Sequence, residues 1–102
     1  MSAGAIEIQE ISQAPPADER EAILNGLNLL YSTRAGELSM DRDFGIDWAA
    51  VDMPLETAKA MLSAEVIEKT ERYEPRVAVS GVSWTRDPLT GRMRGKAAIE
   101  YV

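Results

Sequence analysis

The sequence predicts an α+β domain in which two helices pack on a small, mostly antiparallel sheet that ends in a C-terminal β-hairpin. Two stretches carry apolar residues at helical spacing, and the residues after position 76 alternate between apolar and polar as strands do. The chain has 102 residues, which suits one domain with a modest core but not two. We therefore expect a single domain over residues 1–102.

Composition excludes several classes of chemistry. The chain contains no cysteine and no histidine, so disulfides, thiolate metal sites and histidine-based catalysis are excluded. The first eleven residues lack a basic stretch followed by a long apolar run, and no segment approaches the roughly 18 apolar residues of a membrane helix. We expect a soluble, intracellular protein without a signal peptide.

Charge is unevenly divided along the chain, whose net charge is −6. Residues 1–74 contain 15 acidic and 6 basic side chains, whereas residues 75–102 contain 2 acidic and 5 basic ones. An acidic body with a basic C-terminal hairpin can be oriented in an assembly by complementary potentials. The alternative reading is a solvated sheet face without a partner.

The first element is a short strand or extended arm within residues 1–14. Ile6 and Ile8 alternate with polar residues, which is typical of a half-buried strand. Two consecutive prolines, Pro15 and Pro16, then end the extended segment.

A first helix follows the two prolines. Its first turn carries three acidic residues, which interact favourably with the positive end of the helix dipole. Ile23, Leu27 and Leu30 stand at positions i, i+4 and i+7 and predict the buried stripe, with Leu24 and Tyr31 on its flanks. The helix should end before the next Ala-Gly pair.

The segment from Arg34 to Met53 is polar and rich in turn residues. Because twenty residues is long for a structureless connection, we expect this segment to be packed and functional, with one short helical turn. Its predicted apolar anchors are Phe44, Ile46, Trp48 and Val51.

A second helix is predicted to start at Pro54, a residue favoured at the first helical position, with Asp52 nearby as a cap. One face is predicted to be buried through Leu55, Ala58, Leu62, Val66 and Tyr73. The other face carries two acid–base pairs at i, i+4 spacing, Glu65–Lys69 and Glu68–Arg72.

Residues 75–102 predict a hairpin. Its first strand changes phase at Ser80-Gly81, as a β-bulge would require, and the segment from Asp87 to Gly91 supplies the turn. The last strand should place its apolar and charged side chains on opposite faces. The apolar set is Met93, Ala97, Ile99 and Tyr101, and the charged set is Arg92, Arg94, Lys96 and Glu100.

Glu74, Pro75 and Arg76 join the second helix to this hairpin. Proline cannot continue a helix and restricts the residue before it, so the two charges flank a turn with little backbone freedom. The pair could cap the helix and hold the first strand, or face solvent as an ion pair worth about 0–1 kcal/mol. Alternatively, Arg76 reaches a carboxylate or backbone carbonyls on a partner.

Two blocks of sequence resemble a known family in their order and spacing. The first runs Leu-Leu-Tyr-Ser-Thr-Arg-Ala-Gly-Glu from Leu29 to Glu37 and is followed by Asp43-Phe44-Gly45. The second is Glu-Pro-Arg-Val at 74–77, followed by the hairpin. This arrangement resembles the baseplate wedge proteins of contractile phage tails, a family once labelled lysozyme-like. The family also includes components of tailocins, extracellular contractile injection systems and type VI secretion baseplates.

The resemblance implies a structural protein of the inner baseplate that is not an enzyme and uses no cofactor. Its implied partners are baseplate wedge scaffold proteins and the sheath protein, with tube-proximal hub proteins as further candidates, and neither nucleic acid nor membrane. It is expected in the bacterial cytoplasm during assembly and then in the baseplate of the finished particle. The implied partner-binding residues are Gly36, Glu37, Phe44, Glu74, Pro75, Arg76, Arg92, Arg94 and Lys96.

The resemblance further implies that the protein templates the first sheath ring by accepting a strand from a neighbour. An open sheet edge can accept such a strand through backbone hydrogen bonds. We expect the last strand, Arg92–Val102, to offer that edge.

Loop carboxylates leave a small peptidoglycan-cleaving hydrolase as the alternative function. Glycoside hydrolysis needs two carboxyl groups about 5–10 Å apart, one of them with a raised pKa in an apolar pocket. The candidates are Glu37, Asp41, Asp43, Asp47 and Asp52, with Trp48 as a sugar platform. These residues crowd a polar loop in a domain with little room for a cleft, which argues against hydrolysis.

Two binding alternatives are also weak. Four aspartates of the same loop stand at positions 1, 3, 7 and 12 of a calcium-loop pattern, but Ile46 occupies the position that requires glycine and the final glutamate is missing. Arg92, Arg94 and Lys96 form a basic strand face, but three charges without interleaved aromatic residues give little support for nucleic-acid binding by an acidic protein.

Overall fold

The computed structural model describes residues 3–102, which form two α-helices and one three-stranded sheet. In chain order the elements are β1 (Gly4–Glu10), α1 (Ala17–Ser32), a 3₁₀ turn (Ala49–Asp52), α2 (Leu55–Tyr73), β2 (Val77–Arg86) and β3 (Met93–Tyr101). The predicted α+β class is confirmed, as are both helices, the short helical turn and the hairpin. Residues 1–2 of the predicted arm lie outside the described residues.

β3 is the central strand of the sheet, whose order is β1-β3-β2. β2 pairs with β3 antiparallel, and a register shift between Val79 and Gly81 confirms the predicted bulge. β1 pairs with β3 in parallel, from Gly4 opposite Met93 to Glu10 opposite Ile99. The sheet is therefore mixed, with the predicted hairpin as its antiparallel half.

The expectation that the last strand offers an open edge is wrong. On one side of β3 the Ile11 N–H donates to the Ile99 carbonyl at 2.9 Å, and on the other the Val102 N–H donates to the Arg76 carbonyl at 3.0 Å. Both edges of β3 are therefore paired. The apolar residues of β1 lie on the same buried face of the sheet as those of β3, so β1 pairs with β3 although the two strands are far apart in sequence. The outer strands of the sheet are β1 and β2.

Both helices pack on one face of the sheet and leave the other face to solvent. The predicted stripe of α1 is confirmed, since Ile23, Leu27 and Leu30 are all buried. On α2 the buried face is only partly as predicted. Ala58, Leu62 and Val66 are buried, Tyr73 is half-buried and Leu55 is exposed, while Lys69 and Thr70 are buried without having been expected.

The ends and edges of α2 also differ from expectation in detail. Pro54 is the N-cap residue and no side chain caps the helix, so the role predicted for Asp52 is wrong. The Glu65–Lys69 pair forms at 3.0 Å but is largely buried, and Arg72 pairs with Asp43 at 3.4 Å. No helix within residues 3–102 is long and apolar enough to cross a membrane.

Candidate functional site

The residues expected to bind partners lie in three places. The first is the junction between α2 and β2, defined as Glu74, Pro75 and Arg76. The second is the connecting loop, defined as residues 34–53. The third is the open sheet face, defined as the side of the sheet away from the helices, which carries Arg94 and Lys96.

At the junction, Glu74 and Arg76 form a two-pronged ion pair within the chain. The Arg76 Nε donates to Glu74 Oε1 at 2.7 Å, and Nη2 donates to Oε2 at 2.9 Å. This hydrogen bonding raises the pKa of Arg76. The Glu74 side chain is 9% exposed whereas that of Arg76 is 47% exposed. Arg76 is thus fixed by a buried carboxylate while half of it remains accessible.

The junction lies against α1. A Cβ atom on Gly26 would be 3.4 Å from Glu74 Oε2, so the carboxylate packs against this part of α1. The Val77 N–H donates to the Glu74 carbonyl, and the Val102 N–H donates to the Arg76 carbonyl. Backbone hydrogen bonds at Glu74 and Arg76 therefore hold the start of β2, while the side-chain pair leaves about half of Arg76 exposed.

The connecting loop is fixed at Gly45, which has a φ of 107°. A Cβ there would lie 2.5 Å from the Thr33 carbonyl oxygen, because the chain on either side pairs as a bridge between Arg34 and Ile46. The buried Lys69 Nζ donates to the Gly45 carbonyl at 2.7 Å. The positive φ of Gly45 and its closeness to the Thr33 carbonyl explain why a glycine follows Phe44.

Phe44 and Tyr73 bring the two sequence blocks together. Their rings pack edge to face with centroids 5.0 Å apart, and the Tyr73 hydroxyl donates to Asp41 Oδ1 at 3.1 Å. Phe44 is half-buried by this contact, so it mainly anchors the loop to the end of α2, next to the junction. Gly36, with a φ of 96°, and Glu37 are exposed on the same loop.

The acidic residues of the loop do not form an enclosed catalytic pair. Glu37, Asp41, Asp43, Asp47 and Asp52 are all exposed. Several are engaged locally, since Asp43 pairs with Arg72 and Asp47 accepts the Ala49 N–H. Within the described part of the chain, no three acidic side chains converge as a metal site would need.

Trp48 is not the sugar platform that the hydrolase reading would need. It is 8% exposed, and its ring meets Trp84 edge to face with centroids 6.0 Å apart. A Cβ on Gly4 would lie 2.7 Å from the Trp48 ring, so strand β1 also packs against it. The side chain completes the core.

A groove that the sequence did not reveal follows the outer edge of β1. Odd-numbered residues of β1 bond to β3, so the backbone N–H and C=O groups of Ile6 and Ile8 point to the outer edge. A cavity of about 500 Å³ separates this edge from α1 and is lined by Ile6, Ile8, Leu24 and Asn28, among others. A larger cavity of about 690 Å³ lies at the start of β1 and includes Arg34 and Glu37.

Glu10 closes the other end of this groove. It accepts two hydrogen bonds from Arg20, both 2.7 Å long, and a third of 2.5 Å from the Tyr101 hydroxyl. These donors, Arg20 first, lower the pKa of Glu10 to about 2. Burial and the neighbouring Glu10 raise the pKa of Tyr101 to about 12. The cluster joins β1, α1 and β3, and no local sequence pattern could have indicated it.

Comparison with known proteins identifies relatives of this chain. The family described as baseplate wedge protein gp25 matches residues 17–100, which contain both sequence blocks. No match was found among curated proteins. A crystal structure of a candidate tail lysozyme from Geobacter sulfurreducens is similar, with a TM-score of 0.52 over 88% of this chain and 96% of that chain. Its 19% sequence identity means that the likeness concerns the fold alone.

Proposed function

The chain belongs to the baseplate wedge protein gp25 family, and from that premise we propose that it is a non-enzymatic structural component of the inner baseplate of a contractile tail or injection system. The observation that carries the proposal is the family match, which spans both sequence blocks. The exposed and locally paired carboxylates of the connecting loop support an assembly role over hydrolysis.

The junction is the proposed contact for wedge scaffold proteins. Arg76 is held by two hydrogen bonds to the buried Glu74, so little side-chain entropy remains to be lost when a partner binds. A guanidinium presents a planar set of donors that fits a carboxylate or several carbonyls. Gly36 and Glu37 are exposed on the connecting loop, and Glu37 lines the cavity at the start of β1, so they would form a second contact apart from the junction.

The outer edge of β1 is the proposed site of strand addition by the sheath protein. Its outward backbone groups at Ile6 and Ile8 would bond to an incoming strand, which would extend the sheet to four strands. Leu24 and the two isoleucines would contact alternate side chains of that strand. Such an edge could template the first sheath ring.

An assembly experiment separates the two functions. In a strain that builds the particle but lacks this protein, wild type should restore baseplates, while purified protein should not clear a peptidoglycan suspension. Clearing that is lost in Glu37→Gln would support the hydrolase instead.

Proline at the β1 edge tests strand addition. Ile8→Pro removes an outward N–H, which an edge strand tolerates, and Ile8→Ala shortens the side chain further while keeping the N–H. We expect Ile8→Pro to fold and join baseplates that carry tubes without sheath, whereas Ile8→Ala yields sheathed tubes. Sheath of normal length on both variants would eliminate the β1 edge as the template.

A further inference from the structure

The open sheet face carries two cations and two hydroxyls in a square arrangement. In the β2–β3 ladder Thr85 stands opposite Arg94, and Ser83 stands opposite Lys96. All four side chains are exposed on the side away from the helices. We call these four residues the sheet quartet. They surround a depression of about 390 Å³ that Ala5 and Glu7 of β1 border on the other side.

The spacing of the quartet follows from sheet geometry. Residues opposite each other have Cβ atoms about 5 Å apart, and alternate residues along a strand are about 7 Å apart. Arg94 and Lys96 are alternate residues of β3, with Gly95 between them pointing to the buried side under Trp84. Each cation therefore has a hydroxyl beside it. The two positive charges are as far apart as alternate residues of an extended chain, about 7 Å.

The two cations of the quartet form no ion pair with an acidic residue in the part of the chain that the structure describes. Within residues 3–102 the ion pairs engage Arg20, Lys59, Lys69, Arg72 and Arg76, and none involves Arg94 or Lys96. The chain has 17 acidic and 11 basic side chains, so acids are in excess. Glu7 stands opposite Lys96 across the β1–β3 ladder, yet even this pair is not closed. The quartet can thus bond to external carboxylates.

We propose that the sheet quartet binds an extended acidic segment of a partner protein, with carboxylates on alternate residues. Laid along β3, such a segment would place one carboxylate beside Arg94 and Thr85 and the next beside Lys96 and Ser83. The neighbouring Ala98 and Gly81 are small and would let its backbone lie close to the sheet. The proposal rests on the proposed function only in that the partner would be a neighbouring baseplate or sheath protein.

A protein segment fits this face better than nucleic acid does. Among residues 3–102, two cations line the depression, and Glu7 and Glu100 lie on the same side of the sheet. The net charge of −6 would repel a phosphate backbone, because binding to nucleic acid requires many phosphates to be neutralised by lysine and arginine side chains. Two carboxylates of a partner segment need only two cations at matching positions.

Peptide binding measured by NMR tests the proposal. The probe is a capped peptide, Gly-Ser-Asp-Val-Asp-Val-Gly-Ser, added to the full chain at low and at moderate salt. One control peptide has asparagine for both aspartates, and another has the two aspartates adjacent, which keeps the charge but changes the spacing. We expect shifts at Ser83, Thr85, Arg94 and Lys96 with the first peptide and much smaller ones with either control.

Matched variants separate the site from general charge. Arg94→Gln and Lys96→Gln should each weaken peptide binding about two- to fivefold, the range of an exposed charge pair. Arg42→Gln removes the same charge from an exposed loop arginine and should leave binding unchanged. Thr85→Val keeps strand preference and loses the hydroxyl, so it should weaken binding while circular dichroism stays unchanged.

Several results would overturn the proposal. Equal weakening by Arg42→Gln, equal binding of the adjacent-aspartate peptide, shifts away from the quartet, or tighter binding of a short polyphosphate than of the peptide would each do so. The proposed function is tested separately, because peptide binding does not depend on baseplate rescue. Failure of rescue with intact peptide binding would reject the function alone.

Discussion

Three charged side chains, Glu10, Lys69 and Glu74, each have hydrogen-bond partners within the fold. Glu10 bonds to Arg20 and Tyr101, Lys69 bonds to the Gly45 carbonyl, and Glu74 holds Arg76. Buried or half-buried charges require such partners, since an unpaired one costs several kcal/mol. Their removal should therefore affect particular segments rather than the whole core.

Acid should weaken the Glu10 cluster. The pKa of Glu10 is lowered from 4.5 to about 2 in the folded protein, so the unfolded chain binds this proton more readily between those values. The stabilisation from Glu10 is thus complete above pH 4.5 and is lost as the pH falls towards 2. In thermal melts from pH 6 to pH 2, wild type should lose more stability than Glu10→Gln, whose amide does not titrate. If the melting temperatures of wild type and Glu10→Gln fell in parallel with pH, carboxylates other than Glu10 would be responsible for the loss of stability in acid.

Lys69 should be needed for the fold of the connecting loop. Lys69→Met removes the donor to the Gly45 carbonyl and leaves Glu65 without its ion pair, and the expected cost is on the order of 3 kcal/mol. Urea unfolding measures it. The double variant Lys69→Met/Glu65→Leu should recover part of this loss, because an apolar pair can replace a buried ion pair. If the double variant were less stable than the single, the loop would depend chiefly on the Asp47 N–H bond to Glu65.

Arg76 should matter for assembly beyond its role in the fold. Arg76→Ala leaves the buried Glu74 unpaired, so it should lower the melting temperature and also prevent incorporation into baseplates. The double variant Glu74→Ala/Arg76→Ala removes that unpaired charge and should melt closer to wild type. We expect the double variant still to be missing from baseplates examined by electron microscopy. Its normal incorporation would limit Arg76 to a structural role.

At the scale of elements, sequence patterns identified each helix and strand, and the hairpin, but not the partner of β1. Apolar spacing indicated α1 and α2, and the phase change at Ser80-Gly81 indicated the bulge, because these features depend on neighbouring residues. The parallel pairing of β1 with β3 depends on which apolar faces meet after the helices have docked. Glu10 and Tyr101 are 91 positions apart, and no local periodicity encodes that contact.

Gly26 offers a test of packing between α1 and the junction. Alanine in a helix interior is favoured over glycine by about 0.5–1 kcal/mol. Its Cβ would meet Glu74 Oε2 at 3.4 Å, an ordinary contact, so Gly26→Ala should stabilise the protein by up to that amount in urea unfolding. Gly26→Val, which adds bulk at the same place, should instead destabilise it. Destabilisation by alanine as well would mean that the Glu74–Arg76 pair tolerates no displacement.

At the scale of the whole molecule, the candidate surfaces lie on different sides of one small sheet. The restricted backbone of the junction was predictable, since proline restricts its neighbours. The hydrogen bonds between Glu74 and Arg76 were not, because Glu74 is positioned by its packing against α1. The open sheet face was predicted correctly from the alternation in β3. The groove beside β1 was not, because it exists only when β1 occupies the far side of β3.

β1 is the outer strand most able to separate from the rest of the fold. Its backbone pairs with β3 along one side, whereas β2 is joined to β3 through a hairpin and packs under α2. Amides of β3 report the two sides separately, because those of Gly95 and Ala97 bond to β1 and those of Arg94 and Lys96 bond to β2. Local opening of β1 should therefore make the first pair exchange with solvent faster than the second.

Hydrogen exchange followed by NMR measures this difference directly. Glu10→Gln weakens the link between β1, α1 and β3, so it should accelerate exchange at Gly95 and Ala97 selectively while Arg94 and Lys96 keep their rates. Gly26→Ala acts on α1 and the junction and should change both pairs alike. If both pairs instead accelerated equally in Glu10→Gln, the sheet would open only as a unit, and the Glu10 cluster would stabilise the whole fold rather than the attachment of its first strand.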